Sequence, residues 1–328
     1  MSGPDTNSQP VELKRAVTLV PLVLYGLGIT IGAGIYVLVG ETTARAGVYA
    51  PSSFLLAAFV MAFSAGSFAE LSGRIPQAAG EAAYVQAGFH LRWLTLAVGL
   101  SIILTATVAG AAISLGCAGY LGQILPLPDS LLIVFIISAM GLLAFWGIKE
   151  SVGFAAVLTV LEVGGLLAII AAGLWADPGM LRMVSDTIPS PVDGSAIAGI
   201  LSASVIAYFA FIGFDDVVNL VEEAVDPTRM MPWAIGISLV IVTVIYWLVT
   251  MVALNTLPLS ELAASRAPVG LLFERLTGFS PLVITLIAIF ATMNGVVIQV
   301  IMAARVAYGL SSKGHLPRFL SRVHPTTR

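Results

Sequence analysis

The sequence alternates long apolar runs with short polar punctuation. Runs of about 20 apolar residues, enough to cross a hydrocarbon core of about 30 Å as a helix, fall at 17–40, 46–70, 93–125, 130–147, 151–176, 195–220, 233–256 and 281–304. The second and eighth have polar ends, and the third is long enough to tilt. Pro51, Pro76, Pro126, Pro128, Pro189, Pro191, Pro227, Pro232 and Pro281 bracket the runs. None is expected in the middle of a helix, where it would remove a backbone hydrogen bond. The pattern predicts an all-α integral membrane protein with about eight transmembrane helices. A polar tail over 1–16 would precede a membrane domain over 17–304, and a polar segment over 305–328 would follow it.

Two spans are expected to be interrupted. Span one contains GLGITIGAGIY, with Gly26, Gly28, Gly32 and Gly34 close together. Glycine is about 1 kcal/mol worse than alanine in a helix, so this backbone can leave the helix. In lipid it does so only beside a polar cavity or inside protein. The alternative is close helix packing, since Gly28 and Gly32 have small-xxx-small spacing. Span six reads SAIAGILSASVIAYFAFIGFDDVVNLVEEA. A break at Ala210–Gly213 would put Asp215 and Asp216 in the first turn of a second half-helix, where free N–H groups and the helix dipole stabilise anions. Their role is then capping, or direct binding of an ion or substrate.

Spans one and six lie five apart. Five is odd, so a five-span unit repeated in sequence re-enters the membrane inverted, with 17–176 as the first repeat and 195–304 as a partial second. Interrupted helices opening both halves of an inverted repeat mark a transporter with a midplane site. Half-helix N-termini suit a carboxylate and half-helix carbonyl ends suit an ammonium group. An α-amino acid carries both.

Composition sharpens this. Hydrophobic residues make up 58% and charged residues 10%, against roughly a quarter charged in soluble proteins, too few to cover a soluble surface. The net charge of −3 offers no basic field for nucleic acid. Cys117 is the single cysteine, and His90, His315 and His324 are scattered, so neither a disulfide nor a metal centre is expected. No nucleophile motif or cofactor loop lies in the spans. Gly26-x-Gly28-x-x-Ile31 lacks the third glycine of a dinucleotide loop. An enzyme is not expected, nor a cofactor. The N-terminal segment is polar and does not read as a signal peptide. With that segment in the cytoplasm, every lysine and arginine except Arg45, Arg182, Arg266 and Arg275 falls on the inner side. The positive-inside rule then puts both termini of this multi-pass protein in the cytoplasm.

Four stretches resemble the amino acid permeases of the amino acid–polyamine–organocation superfamily, closest to the cationic amino acid transporter branch. They are GLGITIGAGIYVLVG, FAELSGRIPQAAGEAAYV (68–85), FAFIGFDDVVNLVEEAVDPTRMMPWAI (209–235) and ARVAYGLSSKGHLPRFLSRVHP (304–325), in the family's order. The resemblance implies a five-plus-five inverted repeat of the LeuT type, complete in its first repeat and incomplete in its second. It implies alternating-access transport of amino acids, cationic ones among them, across the plasma membrane. The chain stops at Arg328, where the family's loop leads into a ninth helix. Packing surface would then be left open to lipid or to a partner chain supplying the missing helices. A shortened homologue that binds or assembles without transporting, or an interrupted reading frame, is the alternative.

By the same resemblance, N–H groups around Gly32, Ala33 and Gly34 would meet the substrate carboxylate. Carbonyls near Ile29, Phe209 and Ala210 would meet its amino group. Phe211 and Ile212 would sit at the substrate and gate its path, and Thr30 and Gly213 would belong to the same substrate-binding set. Glu162 in span five lies about 15–20 Å from either end of its helix, near the midplane. Some proton-coupled members carry a lysine about there. Glu162 is a candidate for proton coupling or for selecting a cationic side chain, or else bonds a neighbouring helix while protonated. Glu70 and Arg74 have the spacing of a helical ion pair and lie in the loop region that closes the family's inner side, as a gate or a solvated local pair. Glu222 and Glu223 are an interfacial face or a gate. Asn294, Thr105 and Thr107 line the path or bond between helices. The tryptophans, Trp146 among them, are placed for an interfacial belt.

Overall fold

In the computed structural model of the chain, the structure describes residues 17–32, 34–76, 80–146, 149–190, 193–221 and 224–321; the side chains of 145, 146, 149–156, 219, 312 and 318 are left aside. Ala33, Glu222, Glu223 and the side chain of Trp146 therefore lie outside the described residues. The fold is all-α. Helices α1 (Leu19–Ile31), α2 (Gly34–Ala46), α3 (Ala50–Arg74), α4 (Gly80–Phe89), α5 (Arg92–Leu121) and α6 (Asp129–Trp146) come first. They are followed by α7 (Lys149–Ala176), α8 (Gly194–Phe209), α9 (Pro227–Thr256), α10 (Leu259–Ala264), α11 (Pro268–Thr277) and α12 (Leu282–Ser312). Six stretches are long and apolar enough to cross a membrane, and the shorter apolar helices Leu19–Ile31 and Asp129–Ala144 add to them.

Both predicted interruptions are present. The first span breaks between α1 and α2 at Gly32, while Gly26 and Gly28 stay helical. Those two glycines permit close packing. A methyl group on Gly26 would stand 2.8 Å from the Ser238 hydroxyl oxygen, and one on Gly28 would stand 1.9 Å from that of Thr159. The sixth span leaves the α-helix after Phe209 and resumes as a 3₁₀ segment over Phe214–Leu220.

Packing pairs elements of the first half of the chain with elements of the second. α1 lies against α9 as α8 lies against α3, and α2 crosses α8 as α1 crosses 214–220. The unbroken spans pair likewise, α3 with α9 and α5 with α12. Short helices cover the breaks equivalently, α4 over 214–220 and α10 over α2. The pairs α3–α9 and α5–α12 each join a span to the one five further on, as do the contacts between the two broken spans, the pairing expected of a five-span repeat. The N–H of Val225 donates to the Val17 carbonyl at 3.1 Å, tying the start of the first broken span to the end of the second.

α7 backs α1 and α9, and Ile197, Leu201 and Val205 on the α8 face are exposed. Large apolar side chains such as Phe59, Phe63, Leu104 and Val134 also point outward, as a hydrocarbon solvent requires. Two expectations need correction. Pro232 lies inside α9, because Asp226 caps a helix that starts at Pro227: its carboxylate accepts from the N–H of Arg229 at 3.3 Å. Helices α4, α10 and α11 were not anticipated, since each is too short to leave a membrane-length apolar run.

Candidate functional site

The two breaks meet in the middle of the fold. At Gly213, φ is +127°, a backbone region that only glycine enters without strain. A methyl group there would stand 2.6 Å from the Ile29 Cγ2. On the other side, a methyl on Gly34 would stand 3.0 Å from the Ala210 Cα and 2.8 Å from the Tyr246 oxygen. Each break therefore presses its glycine against the other, and the absence of side chains there lets backbone meet backbone.

Breaking a helix orphans its carbonyls. In an unbroken span the Thr30 carbonyl would accept from residue 34 and the Ala210 carbonyl from residue 214. Here the Tyr246 hydroxyl of α9 reaches both, at 2.7 Å from Thr30 O and 3.0 Å from Ala210 O. Tyr246 is fully buried, its ring edge-on to Phe54 at 5.7 Å and tilted over Phe211 at 5.2 Å. The Phe209 carbonyl accepts from the Ile212 N–H at 3.2 Å. Of the sequence-derived site residues, Ile29, Thr30, Gly34, Ala210, Phe211 and Gly213 are all buried at this junction, and Ile212 looks toward an adjoining cavity.

Glu162 sits on α7, one turn beyond Thr159, and is 1% exposed. The Tyr36 hydroxyl donates to its backbone carbonyl at 3.1 Å, and Tyr120 in turn donates to the Tyr36 carbonyl. Among the described residues, neither carboxylate oxygen of Glu162 has a hydrogen-bond partner. Tyr36 and Tyr246 both lie within its electrostatic reach, so the carboxyl stands beside the first break.

Asp215 and Asp216 diverge. Asp215 accepts at 2.9 Å from the N–H of Gly213, one of the donors the break exposes. Asp216 is 2% exposed, and both its oxygens lack partners among the described residues. With Glu81 of α4 they line a cavity of about 210 Å³, along with Ser101, Thr105 and Gln299. Burial, and after it the Asp215 carboxylate, push the Glu81 carboxyl up to about 7. Arg305 lies within electrostatic reach of Asp216. Among the described residues, no group of three or more His, Cys, Asp or Glu is placed to hold a metal ion. Glu70 and Arg74 form an exposed ion pair at 2.8 Å, apart from this junction. Thr107 turns its hydroxyl to Ile103 O of its own helix, and the buried Asn294 amide nitrogen has no partner among the described residues.

Residues 17–328 match the family described as amino acid permease. The chain belongs to the amino acid permease family. It is 32% identical to "Cationic amino acid transporter 4, vacuolar" of Arabidopsis thaliana, over 98% of this chain and 56% of that protein. It is 29% identical to "Cationic amino acid transporter 3, mitochondrial" of the same plant, over 99% of this chain and 56% of the relative. To "Branched-chain amino acid permease BcaP" of Bacillus subtilis (strain 168) it is 29% identical, over 96% of this chain and 70% of the relative. The chain spans about half the length of the plant relatives it matches.

Two residues at or beside the junction of the breaks were not singled out from the sequence. Tyr246 lies in a uniformly apolar span, where one hydroxyl carries no signal of its partners. Glu81 lies in a loop whose helix was too short to anticipate, though its charge beside a span was visible.

Proposed function

We propose that this permease is a secondary transporter carrying amino acids across the plasma membrane by alternating access, with both termini cytoplasmic and 17–176 and 195–304 as its two repeat segments. One observation carries the proposal: two half-helices end at one point, with orphaned carbonyls of both, Thr30 and Ala210, turned to a common hydroxyl. Free main-chain groups of opposite polarity at helix ends are what a zwitterion needs. The substrate carboxylate is assigned to N–H groups around Gly32, Ala33 and Gly34, and its ammonium group to the carbonyls near Ile29, Phe209 and Ala210. Phe211 and Ile212 gate the path, and Glu70 with Arg74 helps close the inner side.

Cationic amino acids are the favoured substrates. The observation behind this is the cavity beside the break, lined by Glu81, Asp215 and Asp216, with Arg305 in electrostatic reach of Asp216. A cation stabilises buried carboxylates such as these, Asp216 above all. Proton coupling is assigned to Glu162, an ionisable group at membrane depth whose carboxylate has no partner among the described residues.

Uptake of radiolabelled arginine, lysine and neutral amino acids into proteoliposomes, with and without a pH gradient, tests all three levels. Arginine and lysine should enter faster than neutral amino acids, and faster with an inward proton gradient. Glu162→Gln should transport independently of that gradient; an unaltered gradient response would remove Glu162 from coupling. Folded protein that binds and carries no amino acid refutes the transporter assignment. Binding without uptake is the result expected of a shortened homologue.

A further inference from the structure

We propose that Tyr246 is a positioning residue whose hydroxyl stands in for the substrate's ammonium group in the empty carrier, latching the two helix breaks together. The inference rests on the amino acid transport proposed above and concerns a residue which that assignment leaves without a role. The Tyr246 oxygen lies between the orphaned carbonyls of Thr30 and Ala210 and against the Cα side of Gly34, so it touches both breaks at once. Its ring is fixed from two sides by Phe54 and Phe211, which leaves the hydroxyl little freedom to turn elsewhere.

The chemistry of the donors sets the order of events. A phenol has one proton, so it serves one carbonyl fully and the other only in part. An ammonium group has three protons and satisfies both carbonyls together. The hydroxyl is therefore good enough to keep the breaks joined without substrate, and is outmatched when an amine arrives. Ammonium and hydroxyl compete for the same oxygens. Tyr246 then matters for the steps the carrier makes empty and little for those it makes loaded.

Exchange and net uptake separate these steps, because exchange uses only the loaded carrier whereas net uptake needs its empty return. In the full chain in proteoliposomes, Tyr246→Phe keeps the ring and removes the donor. Net uptake should fall about fivefold, the worth of one ordinary hydrogen bond, while exchange stays within about twofold. The variant should also bind a substrate amino acid more tightly, with no change for a carboxylic acid analogue lacking the amino group. Equal loss of net uptake and exchange, or an unchanged ratio with unchanged affinity, overturns the proposal and leaves Tyr246 as packing. Wild-type protein carrying no amino acid would instead overturn the transport assignment itself. Should Tyr246→Phe not fold, 3-fluorotyrosine at position 246 retains the ring and strengthens the donor. Substrate affinity must then fall, and an unchanged affinity sinks the latch.

Discussion

Gly213→Ala is the sharpest perturbation of the junction, and its cost divides into two separable parts. The first is conformational. Gly213 sits at φ +127°, where a side chain is strained, by about 1–3 kcal/mol. The second is steric. The new methyl would stand 2.6 Å from Ile29 Cγ2 and 3.3 Å from the Ile29 carbonyl carbon. Overpacking of this kind costs about 1–3 kcal/mol, so the expected loss is about 2–6 kcal/mol in all. Ile29→Ala removes Cγ2 and relieves that contact, leaving the contact with the Ile29 backbone and the strain. It carries a cavity cost of its own, so only the coupling in a double-mutant cycle is diagnostic. Unfolding of purified protein in detergent, followed in the two single variants and the double, should show the double variant recovering about 1–3 kcal/mol relative to additivity, with the strain remaining. Gly213→Ala within about 0.5 kcal/mol of wild type would refute both parts. Complete rescue by Ile29→Ala would refute the strain and leave only the contact.

Two further outcomes follow from other contacts. Glu81 has its carboxyl raised from 4.5 to about 7 by burial and by Asp215. A raised acid contributes stability that is fully present below pH 4.5 and is lost as pH climbs through about 7. Glu81→Gln should therefore lose melting temperature less steeply than wild type over that window and exceed wild type at pH 8, with the neighbouring buried carboxylates Asp215 and Asp216 still contributing; a slope equal to that of wild type would contradict the burial assigned to it. Gly28→Ala should destabilise by about 1–3 kcal/mol through the Thr159 side chain, and Thr159→Gly should recover part of that loss in unfolding measurements. Additive losses would mean that α1 and α7 do not touch there.

Much of the architecture is visible in composition, because lipid accepts a backbone only when its hydrogen bonds are closed within the segment. That requirement writes each span as a long apolar run and makes any departure conspicuous. Four glycines in the first span and Gly213 with two aspartates in the sixth are such departures, and both breaks lie where those residues stand. The details were less legible. Gly26 and Gly28 read like Gly32 in sequence, yet the first two serve packing against Ser238 and Thr159 while only Gly32 sits at the break. Pro232 reads as a boundary, but a capping Asp226 further upstream lets the helix run through it. Apolar spans have little polar face to betray their inner side, so helix contacts were beyond periodicity.

What the sequence alone determined is a membrane protein with two interrupted spans five apart and an amino acid permease's motifs in order. Those follow from local requirements: transfer to lipid, helix propensity, and the stability of charge at a helix end. Which groups meet at the breaks was decided by tertiary structure. Tyr246 stands 36 residues from Ala210 and 216 from Thr30, and Glu81 reaches Asp215 and Asp216 from a separate loop helix. Only the packing of α9 between both broken spans, and of α4 over the second half of one, brings these groups within hydrogen-bond or electrostatic distance. A chain of apolar helices has many ways to satisfy its backbone. The close glycine contacts at Gly34 and Gly213 select the packing that places those polar groups together.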